Sequence, residues 1–404
     1  MPRLLRCYPV SLVVLAPFVL LIVPMAVVNG NPEVGFIVRL VALALLGSAV
    51  VETFGLLLGR PTDEWRHPFR PAGARDRSLY VAARLVAVTG IVASLVGAYV
   101  GRGTIVAQVS GELPTSPVAA MTALFAGWGA FAFALLVVSH LRGQVSARRL
   151  HGWLALLVLA QVVVVAMTAI SAPLLGFLSF LGAAGLICGI FRIRYLLVVV
   201  AVVFLVWPTV FEYRNAIRAD RGVAVSEQVT ATDRLRLDLQ LAAVAPLDVP
   251  ADVVRPGLVD YVRYGLVPRA LDEERPPIST GQEINQYLGG GATSAYTFLS
   301  MGNVYFFHGP LGVVAFYAGW AAVVMALLRM RGGPGPVRLS LLCFVLAGPL
   351  LWSSTYPDSS ISVIQQTVSA VPVLLLLRAT RRRPHRRSSA VSLAGTASTA
   401  RPVR

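Results

Sequence analysis

The sequence predicts an all-α polytopic membrane protein of about ten transmembrane helices with one large outer loop. Three observations predict it. Of 404 residues, 56% are hydrophobic and only 13% are charged, where a soluble domain carries roughly 25% charged residues. The mean hydropathy is +0.72. The apolar residues also fall in continuous runs of about the 20 residues that cross a bilayer. Continuous runs exclude a transmembrane β-barrel, whose strands alternate. The composition excludes an ordinary soluble protein, a disordered chain and a disulfide-stapled secreted module.

The runs are residues 10–28, 35–58, 79–100, 117–140, 153–170, 173–190, 195–211, 311–328, 339–352 and 361–377. The first contains Pro17 and Pro24 and lacks an A-x-A cleavage pattern, so it reads as a retained helix and not a signal peptide. The order divides the chain into spans one to seven (1–211), an extracytoplasmic loop (212–298), spans eight to ten (299–377) and an Arg-rich tail (378–404) that reads as disordered.

All 35 cationic residues are Arg, and the net charge is +16. They lie between the apolar runs, with no nucleic-acid-binding motif, so the charge reads as membrane orientation and nucleic acid is excluded as a partner. Arg3 and Arg6 precede span one. Arg60, Arg66, Arg70, Arg75 and Arg77 fill the second loop, Arg142, Arg148 and Arg149 the fourth, Arg192 and Arg194 the sixth, and Arg329, Arg331 and Arg338 the eighth. The short odd-numbered loops hold only Arg102. By the positive-inside rule both termini are cytoplasmic. Arg39 and Arg84 lie near span ends and read as snorkelling. Cys7, Cys188 and Cys343 lack metal-ligand spacing and read as small apolar side chains. No metal site and no cofactor is expected. High Ala, Val and Arg with no Lys suggest a GC-rich bacterium.

The outer loop concentrates chemistry: 12 of the 19 acidic residues and nine Arg lie in residues 212–298. Arg214, Arg218 and Arg221 are spaced i, i+4, i+7. A helix continuing past span seven puts them on one face, either as an anion-binding stripe suited to phosphate or as a solvated helix end with local ion pairs. Residues 233–241 alternate charged and apolar, which suits a short strand or one face of an interfacial helix, and a lid lying on the bilayer is the favoured reading. Arg269 follows Pro268, and Arg275 precedes Pro276 and Pro277, so both sit in turns. At the entry to span eight, Gly302, Gly309 and Gly312 permit close packing. Tyr305 and His308 stand at the membrane interface. Tyr305 suits an interfacial anchor; His308 suits either a general base or a simply hydrogen-bonded side chain. Asp358 reads as a helix N-cap.

Val267-Pro268-Arg269-Ala270-Leu271, then Arg275-Pro276-Pro277 and Gly281, then Thr293-Ser294, then Gly302, Tyr305, Gly309 and Gly312 together resemble the O-antigen polymerase (oligosaccharide repeat-unit polymerase, Wzy-like) family. The motifs cover about 50 residues, and the topology fits over the whole chain. The resemblance implies an inverting, metal-independent glycosyltransferase. Its substrate is an oligosaccharide repeat unit on polyprenyl diphosphate at the outer face of the bacterial plasma membrane. It further implies a flippase and a chain-length regulator as partners. It supports Arg269 most directly, with Arg214 and Arg218 in the region where relatives carry Arg after the preceding span. His308 enters the catalytic set from the residues, not from the resemblance. Arg221, Arg275, Gly302, Tyr305, Gly309 and Gly312 form the expected substrate-binding set. The turn 169–173 lacks the Arg many relatives carry there, and Phe298 stands where related ligases place a His. A ligase-like transferase and a lipid-linked oligosaccharide flippase are the alternatives.

Overall fold

The computed structural model describes residues 2–58, 78–101, 117–125, 127–220, 230–231, 235–247, 258–267, 272, 280–289, 296–329 and 334–381. Among these the regular structure is helical. After α1 (Pro2–Cys7) come two π-helical segments, Val10–Val14 and Phe18–Ile22, then α2 (Val23–Val28), α3 (Val34–Leu57), α4 (Ser78–Tyr99), α5 (Pro117–Phe125), α6 (Trp128–Leu141), α7 (Ala147–Thr168), α8 (Ala172–Cys188) and α9 (Ile193–Asp220). The loop supplies α10 (Leu237–Ala242), α11 (Leu258–Leu266) and α12 (Thr280–Tyr287). The chain then forms α13 (Leu299–Arg329), α14 (Pro336–Ala347) and α15 (Asp358–Arg381).

Each predicted apolar run contains helix, and seven of the helices among the described residues are long and apolar enough to cross a membrane. The apolar helices of runs four, six and nine are shorter: Trp128–Leu141, Ala172–Cys188 and Pro336–Ala347. Run four is not one helix but two, α5 and α6. Nearly all of α6 is buried, so it is walled by protein instead of lipid and needs no full membrane length.

Span one is not the regular helix expected of its run. Pro9, Pro17 and Pro24 remove backbone donors, and the backbone widens: Leu15 N–H reaches Val10 O, five residues back, at 2.9 Å. The start of the first π-helical segment is held by a carboxylate. Glu52 of α3 is fully buried. It accepts the Val10 N–H at 2.6 Å and the Ser11 hydroxyl at 2.6 Å, with the Ser11 N–H at 3.4 Å. The contrast with Arg39 and Arg84 is sharp: both of those are exposed, pointing off the bundle as expected of snorkelling side chains.

Helices α3 and α13 form the tightest pair. At Gly47 an added Cβ would lie 2.4 Å from the Val314 carbonyl, so the two backbones touch where only glycine fits. At one end of the bundle, Arg6 donates from Nε to the Ile187 carbonyl at 3.1 Å, and Arg338 donates to the Leu327 carbonyl. Each guanidinium thus meets the negative end of a helix. The loop helices gather at the opposite end.

Two boundaries move. Helix α9 continues to Asp220, so the loop begins as helix. Helix α15 runs to Arg381, past the expected start of the tail at Arg378; cations in a last turn complement the helix dipole. Residues 237–242 are no lid on the bilayer. They form α10, whose Leu241 and Asp238 are fully buried against the bundle. Asp238 receives Arg236 at 2.8 Å through two bonds and Asn31 Nδ2 at 2.8 Å. Burial raises the Asp238 carboxyl, but these donors more than offset it and hold it below its ordinary range.

Candidate functional site at the loop end

The entry to α13 is built around a break. The helix runs to His308. Gly309 then adopts φ 63°, ψ −164°, and helix resumes at Pro310. A residue other than glycine is strained there, whereas proline suits the first position of a helix because its missing N–H would be unpaired anyway. Gly312 completes the arrangement. A Cβ on it would lie 2.2 Å from the His308 Cβ. Gly309 therefore supplies the backbone bend and Gly312 the room that together seat an exposed His308. Gly302 is a buried position against Phe298, Leu241 and Val244. Tyr305 packs its ring edge-on to Phe36 at 5.1 Å, half-buried, and so touches α3.

Gly309→Ala is expected to lower the Tm by several degrees, a cost of about 1–3 kcal/mol. No atom lies within 4 Å of the added methyl, so backbone strain is the whole cause. Gly319→Ala in the same helix, also in open space but without positive φ, is the control and should leave the Tm unchanged or slightly raised. Thermal unfolding of the purified protein in detergent reads both.

A turn from across the fold meets His308. His308 Nε2 lies 2.8 Å from the Tyr356 hydroxyl, and the Tyr261 hydroxyl donates to Tyr356 at 2.7 Å. The turn is anchored by Asn303, which is fully buried. Its amide donates to Thr297 Oγ1 at 2.9 Å and the Ser354 carbonyl at 3.1 Å, while its oxygen accepts the Phe298 N–H at 3.1 Å. Ser300 N–H also reaches the Trp352 carbonyl at 3.0 Å. The Tyr356 ring packs edge-on to Phe316 at 5.6 Å. Tyr261 arrives on α11, which sits on α15: Gln365 Nε2 donates to the Tyr264 carbonyl at 3.0 Å.

Burial pushes both phenols above their ordinary range. At Tyr261 its bond to Tyr356 and the negative charge of Asp358 add to this; at Tyr356 the bond received from Tyr261 partly opposes it. Burial, and then the charge of Asp358, raise the Glu283 carboxyl as well. A carboxyl raised in the fold is favoured while protonated, and that stability is lost as pH rises through its folded pKa. Glu283→Gln is therefore expected to match wild type at low pH and to exceed its Tm increasingly as pH rises through and above the ordinary carboxylate range. A Tm series over that range measures it.

Arg214 lies on the continuing helix α9, with its guanidinium 5.7 Å from the centre of the Phe211 ring. Arg218 shares that helix one turn on. Arg221, Arg269 and Arg275 lie outside the described residues. Asp358 is the first residue of α15. Near α9 an open cavity of about 320 Å³ is lined mostly by apolar side chains, among them Met25, Phe204, Trp207 and Leu235, together with Asn29 and Arg236. Among the described residues no three His, Cys, Asp or Glu side chains group to hold a metal.

Sequence reasoning missed Tyr261, Tyr356, Asn303 and Glu52. Only Glu52 left a signal, as a carboxylate deep inside an apolar run. No family model, curated protein or solved structure matches this chain.

Proposed function

We propose that this protein is a membrane glycosyltransferase that joins polyprenyl-diphosphate-linked oligosaccharide repeat units into a polysaccharide. It works at the outer face of a bacterial plasma membrane, with ten spans and both termini in the cytoplasm. A hydroxyl of one unit attacks the anomeric carbon of a growing chain and gives up its proton to water, the bond to the diphosphate breaks, and polyprenyl diphosphate leaves. Arginines suit the leaving group, because its developing charge needs fixed cationic donors. Arg269, with Arg214 and Arg218, carries that role in this reading, and Arg221 and Arg275 bind substrate.

The observation that carries the reading is the break at His308-Gly309-Pro310. It falls within the stretch that resembles the polymerase family, and it puts an exposed imidazole at the end of the bundle where the loop helices gather. The open cavity beside α9 supports it further: its apolar walls suit a lipid chain. Phe298, fully buried where related ligases carry a His, favours polymerase over ligase.

The test uses the full chain in liposomes with native lipid-linked repeat units and gel analysis of the product. Wild type should build long chains, and Arg269→Ala should leave single units at equal protein level. Movement of the lipid-linked unit between leaflets without chain growth would replace this reading with transport.

A further inference from the structure

We infer that α11 is seated in the bilayer: Val259, Val262 and Leu266 enter the lipid leaflet at the loop end of the bundle, with Leu266 the deepest of the three. The inference stands apart from the proposed reaction and needs no substrate.

The argument starts from which face of α11 is covered. Val259, Val262 and Leu266 are spaced i, i+3, i+7 and share one face. They are 79%, 50% and 53% exposed. The opposite face carries Tyr261, Tyr264 and Gly265, and it is the one that packs, with Tyr264 and Gly265 buried. A surface helix in water does the reverse: it buries its apolar stripe and shows its polar side. Here the apolar stripe is left outside and two tyrosines are turned inwards, which suits a helix whose outer neighbour is lipid. Arg263 flanks the apolar face and pairs with Asp272.

The depth comes from α15. Gly265 is pressed onto Ile364, where an added Cβ would lie 2.6 Å from the Ile364 Cβ. Gln365 Nε2 donates to the Tyr264 carbonyl at 3.0 Å. Tyr261, one turn earlier, meets Tyr356, which precedes the start of α15. Helix α11 therefore descends beside α15 towards its own C-terminus. Residues 358 to 364 of α15 span about 9 Å along its axis. An interfacial helix lays its apolar face at a depth of about 5–10 Å.

The same face of α15 shows what lies outside. Ile364, Val368, Val371 and Leu375 are spaced i, i+4, i+7, i+11 and line one face. Helix α11 covers that face at Ile364, and further along Val368, Val371 and Leu375 are exposed. Helix α15 is long and apolar enough to cross a membrane, so the bare stripe suits lipid. Because α11 sits on the stripe, the face it turns away from α15 points the same way. The bilayer thereby helps to seat Tyr261 against Tyr356 and, beyond it, His308.

The test places a fluorophore on each position. Val259→Cys, Val262→Cys and Leu266→Cys are made one at a time in the full chain carrying Cys7→Ser; Cys188 and Cys343 are buried, and the chain without a new Cys gives the blank. Each variant is labelled with an environment-sensitive probe and returned to phosphatidylcholine liposomes that hold no other protein. Nitroxide lipids then quench from within the bilayer and iodide quenches from water. Val371→Cys, on the bare stripe of α15, is the lipid-facing reference. All three positions should show blue-shifted emission. Lipid quenching should strengthen from Val259→Cys to Leu266→Cys, with Leu266→Cys nearest the reference, and iodide quenching should fall in the same order. Water-like emission with iodide quenching at Leu266→Cys would overturn the inference, as would the absence of that order. Blue-shifted emission that neither quencher reaches would also overturn it, because protein, such as a second copy of the chain, would then cover the face. No arm of the test needs activity, so a failure of chain growth removes the polymerase reading and leaves this result standing.

Discussion

On the proposed function, His308→Ala is expected to lower the rate of chain growth by on the order of 10²–10³ in kcat, with the Tm of the protein nearly unchanged. The side chain is exposed, so its removal leaves no cavity. What is lost is an imidazole whose position is set by three features: the bend at Gly309, the room at Gly312 and the Tyr356 hydroxyl at 2.8 Å. A polar group held in place before the reaction costs no reorganisation when charge develops, and that is why one such group carries so large a factor. Initial rates of lipid-linked polymer formation in liposomes measure it. A His308→Ala variant that extends chains at the wild-type rate would remove His308 from the site and leave the arginines as the sole candidates.

Glu52→Leu should produce the largest loss of stability. The leucine matches the apolar surroundings of α3 but accepts no hydrogen bond. Two backbone N–H groups, of Val10 and Ser11, are then left without their acceptor in a buried setting, while the Ser11 hydroxyl keeps Ser48 Oγ at 2.9 Å. Each orphaned buried donor costs about 1–3 kcal/mol. The expected total is roughly 3 kcal/mol or more, read as a marked fall in Tm and poor recovery from the membrane. Glu52→Gln keeps one acceptor oxygen and should recover part of the loss. Equal Tm values for Leu, Gln and wild type would show that the first π-helical segment holds without its carboxylate.

These two residues mark where sequence reading succeeds and where it stops. His308 was legible because it is the one His that the charge pattern puts outside the cytoplasmic face, beside two glycines and a proline that punctuate a helix. Its partner was not legible. Tyr356 lies 48 residues further on and Tyr261 lies 47 before, and nothing local distinguishes them from other tyrosines in loops. Glu52 and Arg84 were equally visible as charges in apolar runs. One is fully buried and the other exposed. In helices apolar on every side, periodicity does not tell the inward face from the lipid face, so their fates could not be separated in advance. The Arg stripe was legible in part: the helix does continue past span seven to Asp220, the condition under which the i, i+4 spacing puts Arg214 and Arg218 on one face.

The sequence by itself determined the class of the protein, the existence and order of its apolar helices, and the segment where polar chemistry gathers. Those follow from composition and from patterns within about 20 residues, the length over which a bilayer imposes its demand. Only the tertiary structure decided that span one is widened and pinned by Glu52, that residues 237–242 pack into the bundle, and that Tyr261, Tyr356 and His308 form one line. Each of these is a contact between residues roughly 40 to 200 apart in the chain. Such contacts are set by which helices lie side by side, and a local pattern of hydrophobicity carries no record of that choice.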